Sequence, residues 1–271
     1  MQPDRPVDSK DYGILLVAFG TTREESRKGL DSVFEKTRTA FPHAEVRWAY
    51  TSRAVRARLG AEGVGIDSPE MALVRMIDDG LSRMGVLSLH LIPGREHHDL
   101  HQNVKLISQM HNGRVRIASA RPLLSAHADM KRVAEALIKR APQELTSEDA
   151  VIFMGHGSKG HPSDAIYTAM NGIIQEIAPH IFLATMDGYP KLDDLLPKLQ
   201  SRGVKRVYLK PFMAVAGTHV YRDLAGDIPQ SWKSILTGQG FVCEVSFQGI
   251  IEYPDIVEIW LGHLKEALSK L

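Results

Sequence analysis

One order of residues occurs twice in this 271-residue chain. "ILLVAFGTT" in the first half has its counterpart in "AVIFMGHGS" in the second, and "VRWAYTS" in "IFLATMDGYP". "MIDDGLSRMGV" matches "LDDLLPKLQSRGV", and "LSLHLIPGREHHDL" matches "KRVYLKPFMAVAGTHVYRDL". Each match alone is weak, but their common order over two halves points to duplication. A chain of this kind must fold as two like units that bury the same apolar faces.

The unit itself reads as α/β. "GILLVAF", Gly13 to Phe19, is a short continuous apolar run and suits a strand buried on both faces. Thr22 with Glu25 three residues on predicts a capping box that opens a helix to about Ala40. Leu30, Val33, Phe34 and Phe41 would share one face of that helix. A strand over "AEVRWAYTS", a helix over "PEMALVRMIDDGLSRMG" and a strand over "VLSLHLI" follow, and such alternation predicts parallel sheets. The expected fold class is α/β, with two similar lobes, each a mainly parallel sheet flanked by helices. The lobes are expected at residues 1–145 and 146–271, joined by a turn between Ala141 and Asp149. A last helix with Ile256, Ile259, Trp260, Leu264 and Leu268 on one side should pack across the lobes.

Composition narrows the function. A net charge of +1 gives no reason for binding nucleic acid or an anionic membrane. The single cysteine, Cys243, allows no intrachain disulfide and reads as a small buried apolar residue. No apolar run approaches the roughly 20 residues of a membrane span. "MQPDRPVDSKDYG" has no apolar centre, so a cytoplasmic location is expected, or a periplasmic one if an export signal has been removed.

Ligands of such sheets bind beyond the carboxyl ends of the strands. There, the second half places His156 after its first strand, Asp187 after its second and His219 after its third. Two imidazoles and a carboxylate from separate elements make a first shell for a divalent first-row metal. Glycines beside His156 would let a large ligand approach the backbone. The repeat pairs Thr21 with His156, and a position near Thr51 with Asp187. The first lobe therefore has no imidazole or acid there and should contact ligand, not metal.

At these residues the sequence resembles a known family. "LLVAFGTT", "YTSR", "GHGS", "DGYP", "LKPFMAVAGTHV" and "LAGDIPQSWKSIL" together look like the anaerobic cobalt chelatases of cobalamin biosynthesis. These are class II chelatases, related in fold to protoporphyrin ferrochelatase. The resemblance runs from about Gly13 to the last helix. It implies ATP-independent insertion of Co2+ into sirohydrochlorin in a bilobal cleft, with the metal site in the second lobe. It also implies His156 and His219 as metal-binding and catalytic, with Asp187 as the acidic ligand. The family more often has glutamate before "GYP"; the shorter Asp187 would ligate directly or act through water. Sirohydrochlorin carries many carboxylates, and helix N-termini after "GTT" and "GHGS" offer N–H groups to such anions. Thr21, Thr22 and Ser158 add hydroxyls, Arg53, Lys210 and Arg222 add charge, and Phe19 and Tyr189 complete the expected substrate wall.

"EHHDLH" is a second cluster, with His97 and His101 at helical i, i+4 spacing. Some relatives of the family bind haem at a subunit interface through a histidine of this region, which matches His97 or His98. The alternative is a helix start with solvent-facing histidines. His43, His111, His127, His161, His180 and His263 read as surface or packing residues. Iron insertion for sirohaem, with Fe2+ as the metal, and a non-catalytic haem or metal carrier stay open as alternatives. Self-association into a homo-oligomer is also left open.

Overall fold

A computed structural model of the chain describes residues 12–110 and 114–271. His111 and residues 1–11 of the segment read for an export signal lie outside the described residues. Strand β1 (Tyr12–Ala18) is buried from Gly13 onward, as a continuous apolar run in mid-sheet must be. It pairs in parallel with β2 (Ala44–Tyr50) and β3 (Arg83–Ser88), and β3 pairs with β4 (Arg116–Ser119). The order is β2-β1-β3-β4. The second half repeats it around β5 (Asp149–Gly155), with β6 (Ile181–Thr185), β7 (Arg206–Phe212) and β8 (Val242–Val245) in the parallel order β6-β5-β7-β8. The two similar α/β lobes read from the repeat are thus present.

Helices α1 (Glu24–Ala40), α2 (Arg53–Ala61), α3 (Pro69–Asp78), α4 (Arg95–Met110) and α5 (His127–Ile138) belong to the first half. Helices α6 (Ala165–Ile177), α7 (Leu192–Ser201), α8 (Trp232–Gly238) and α9 (Pro254–Leu268) follow. Three boundaries differ from the sequence expectation. The Thr22–Glu25 capping box does not form, because the helix N-cap is Arg23 and lacks a side-chain cap. Thr21 Oγ1 instead accepts the Arg23 N–H at 3.1 Å, and Glu24 and Glu25 lie where carboxylates complement the helix dipole. Strand β2 stops at Tyr50, and Ser52 caps α2 by accepting the Val55 N–H at 3.3 Å. Helix α3 ends ahead of Gly80, whose φ of 92° is left-handed, so Arg83–Gly85 join β3.

The inner faces of the two sheets share one core, in which Ile14 and Leu16 of β1 join Val151 and Phe153 of β5 and Ile256 and Trp260 of α9. The outer face of β1 packs through Leu15 and Val17 on α3 and α4. The outer face of β5 packs through Ile152 and Met154 on α7 and α8. Helix α9 lies against β3, β4, α1 and α5, so the end of the chain returns to the first half. Gly85 makes room for it: a Cβ there would stand 2.6 Å from Leu268. Cys243 is half-buried in β8. No helix among the described residues is long and apolar enough to cross a membrane.

Candidate active site

The strand ends of both halves open onto one cleft of about 730 Å³. His156 directly follows β5, and His219 stands at the N-terminus of a π-turn, Val220–Leu224. Their rings meet edge to face, with centroids 5.0 Å apart and planes at 86°. His219 Nδ1 is 2.7 Å from Asp223 Oδ2 one turn on. A carboxylate can only accept, so Nδ1 carries a proton, and in the neutral ring it is Nε2 that has the lone pair. His156 Nδ1 faces the Gly157 carbonyl at 3.3 Å, which favours the same tautomer. Two imidazoles thus offer Nε2 lone pairs from adjacent strands, the usual condition for holding a first-row cation.

Asp187 lines the cleft and is exposed, and its N–H donates to the His156 carbonyl at 2.9 Å. Among the described residues no three His, Cys, Asp or Glu side chains gather at metal-binding spacing. The structure therefore brings the two imidazoles together and leaves Asp187 on the wall beside them. The carboxylate that orients an imidazole is Asp223. Packing alone requires the glycines next to His156. A Cβ on Gly155 would stand 2.7 Å from the Tyr167 ring, and one on Gly157 2.6 Å from the Asp187 backbone. Gly157 also has φ 87°, in the left-handed region. Asp164 fastens both turns, because Oδ1 accepts the Ser158 N–H at 2.8 Å and Oδ2 the Tyr189 N–H at 2.9 Å.

The first-lobe mouth has the same backbone. Thr51 and Ser52 donate to the Ala18 and Phe19 carbonyls, as Met186 and Asp187 donate to those of Gly155 and His156. The glycines that follow, Gly20 and Gly157, have φ of 94° and 87°. The counterpart of His156 is therefore Phe19 and not Thr21, and that of Asp187 is Ser52. The sheet registers set Ser88 opposite Val17 and Pro211 opposite Met154, and eight residues on from each, Glu96 takes the place of His219. Glu96 accepts from His90 Nε2 at 2.8 Å, and this bond holds its carboxyl below the ordinary range despite partial burial. Glu96 has no sequence signal of its own, since it opens the histidine-rich run "EHHDLH".

Of the other expected residues, Phe19, Thr21, Thr22 and Ser158 line the cleft. Arg53, Lys210, Tyr189 and Arg222 are not among its lining residues. Arg53 opens α2 while Ser52 and Arg58 turn to the cleft. Lys210 sits half-buried in β7, where burial and then Arg140 lower its pKa. Tyr189 is 56% exposed. The cations that do line the cleft are Arg23, Arg58, Arg95 and Lys159. His97 lines it too, and burial, followed by His90 and His101, pushes its pKa down to about 4. His98 is exposed on the same helix and outside the lining.

Comparison with known proteins identifies the family. The family model described as cobalt chelatase (CbiK) matches residues 12–269. The sirohydrochlorin cobaltochelatase CbiKC of Nitratidesulfovibrio vulgaris is 38% identical over 271 residues, covering 100% of this chain and 95% of that protein. The sirohydrochlorin cobaltochelatase of Salmonella typhimurium is 30% identical over 258 residues, covering 94% of this chain and 96% of that protein. In fold alone, the chain is similar to SirB from Bacillus subtilis with Fe3+, at a TM-score of 0.65 and 14% identity, covering 96% of each chain. With its paired imidazoles at the strand ends of a duplicated α/β fold, the chain belongs to the cobalt chelatase (CbiK) family.

Proposed function

We propose that the protein inserts Co2+ into sirohydrochlorin without ATP, in the anaerobic branch of cobalamin biosynthesis. The facing pair His156 and His219 carries this reading. Insertion requires an ion that is held loosely, with most of its coordination positions open to the ring nitrogens. Two imidazoles do this better than a closed four-ligand shell. The metal wall belongs to residues 146–271, and residues 1–145 supply the opposite wall, onto whose lobe α9 packs. Phe19, 52% exposed at the cleft, offers an aromatic face to the flat macrocycle. Arg23, Arg58, Arg95 and Lys159 offer charge to its carboxylates, with hydroxyls from Thr21, Thr22 and Ser158. As the ion enters, two pyrrole protons leave, and the two imidazoles released from the ion can accept one each.

The test is anaerobic turnover of metal-free sirohydrochlorin with Co2+, followed by the absorbance change of the macrocycle, with Fe2+ in competition. Faster use of Co2+ supports the reading; exclusive use of Fe2+ would assign the protein to sirohaem formation, and no turnover would make it a carrier. A haem or second metal site at His97 or His98 rests on His97, whose low pKa keeps a nitrogen lone pair available at neutral pH. Haem titration of His97→Ala against the unmodified protein would decide it.

A further inference from the structure

The segment that carries His219 is held from the opposite lobe. Strand β7 ends at Phe212, several residues upstream, so no strand of its own sheet holds His219. Ser26, in the first turn of α1, donates its hydroxyl to the Ala216 carbonyl at 2.7 Å in a buried contact. The Arg23 guanidinium lies over the Tyr221 ring, 3.6 Å from the centroid. The Tyr221 hydroxyl donates to Glu25 Oε2 at 3.2 Å, and its ring stacks on Phe247 with centroids 4.8 Å apart. These contacts bracket His219, one just before it in the chain and the others just after. All the first-lobe partners follow directly from the turn Phe19–Thr22, which lines the cleft.

We infer that Tyr221 is a positioning residue for His219. Clasped by Arg23 and Glu25, it fixes the metal-holding imidazole relative to the turn against which the macrocycle rests. This rests on the chelatase reading above. An imidazole that must share one ion with His156 tolerates little displacement, and a shift near 1 Å at a reacting centre costs about a hundredfold in rate. Tyr221 is outside the cleft lining, so its loss should change how the ion is presented and not how the macrocycle binds.

The test measures kcat and KM for sirohydrochlorin, together with the visible absorption of Co2+ bound without macrocycle, for Tyr221→Ala, Tyr221→Phe and Arg23→Gln. Tyr221→Ala is expected to lower kcat by about 10–100-fold, with KM changed by less than about twofold, and to shift the Co2+ band. Tyr221→Phe keeps the ring under Arg23 and should stay within about threefold of the unmodified kcat. Arg23→Gln removes the stacked cation and should shift the Co2+ band in the same direction; because Arg23 also lines the cleft its KM should rise, so the macrocycle-free Co2+ band is the readout that preserves the test if Tyr221→Ala is unstable. Unchanged kcat in Tyr221→Ala, or Tyr221→Phe as impaired as Tyr221→Ala, would overturn the inference. His156→Ala run beside them separates the two claims. If it too turns over normally, the chelatase site itself is misassigned; if it alone is inactive, only the clasp is wrong.

Discussion

The two strand-end mouths share a backbone and differ in what they carry. Three equivalent positions hold Phe19, Ser52 and Glu96 in the first lobe and His156, Asp187 and His219 in the second. In the first mouth the carboxylate is engaged by His90, and the hydroxyl is used as a helix cap. In the second, one imidazole is oriented by Asp223 and faces the other. The two mouths have one geometry, and on the proposed reading the side chains at three positions decide which wall binds a macrocycle and which presents a metal.

The largest effect should come from removing either imidazole. His156→Ala and His219→Ala should lower the insertion rate by more than the roughly 10–100-fold typical of losing an outer-shell partner. Circular dichroism should be unchanged, since both side chains are exposed and support little of the core. Phe19→His in the His156→Ala background sharpens the contrast. It puts an imidazole at the equivalent first-lobe position, yet no rate should return, because Glu96, at the place equivalent to His219, is already bound to His90. Recovery of activity would mean that the mouths are interchangeable.

Asp223→Asn comes next. The amide keeps the shape but no longer requires a proton on His219 Nδ1, so a loss of about 10–100-fold in rate or Co2+ affinity is expected. Asp187→Ala should cost less, because among the described residues no three-ligand set closes around it, and Asp187→Glu should be tolerated. Equal losses for Asp187→Ala and His219→Ala would bring Asp187 back among the ligands.

Gly157→Ala and Gly20→Ala compare the mouths as backbone. Each forces a Cβ onto a left-handed residue, against the Asp187 backbone at 2.6 Å or the Tyr50 ring at 2.5 Å. Both should lose about 1–3 kcal/mol in denaturant unfolding. Only Gly157→Ala should also weaken Co2+ binding. If Gly20→Ala weakens it equally, the separation of metal wall from macrocycle wall fails.

These experiments rest on features of unequal visibility in the sequence. The repeat and the continuous apolar strands around β1 and β5 were legible, because a strand buried on both faces needs an unbroken apolar run. Helix α2 was not, because only Leu59 of "RAVRARLGA" is buried and no apolar stripe marks it. The two imidazoles were legible from strand-end position. Their supports were not: Asp164 acts by joining two turns distant in sequence, and Asp223 by a contact across a π-turn. The pairing of His156 with Thr21 followed matching letters, whereas the left-handed glycines Gly20 and Gly157 set the true register. Arg53 and Lys210 missed the cleft for a related reason. Which way a strand-end cation turns depends on where the next helix starts and which sheet face it meets.

The smallest expected effect concerns pH. The His97 pKa falls from 6.5 to about 4 on folding, so the unfolded chain binds more protons between those values. The stability contributed by neutral His97 is complete above about pH 6.5 and is lost as pH falls toward about 4. Urea unfolding at several pH values should show a weaker decline over that window for His97→Gln. An identical decline would remove His97 as its cause.

The most direct measurement is a crystal structure of the protein with Co2+ bound and no macrocycle, the ion located by anomalous scattering. One ion should stand between His156 Nε2 and His219 Nε2, about 2.0–2.1 Å from each, with other positions filled by water. The equivalent place beside Phe19 and Ser52 should hold none. An ion bound instead at Glu96 or His97, with His156 and His219 free of it, would contradict the assignment of the second mouth as the metal wall.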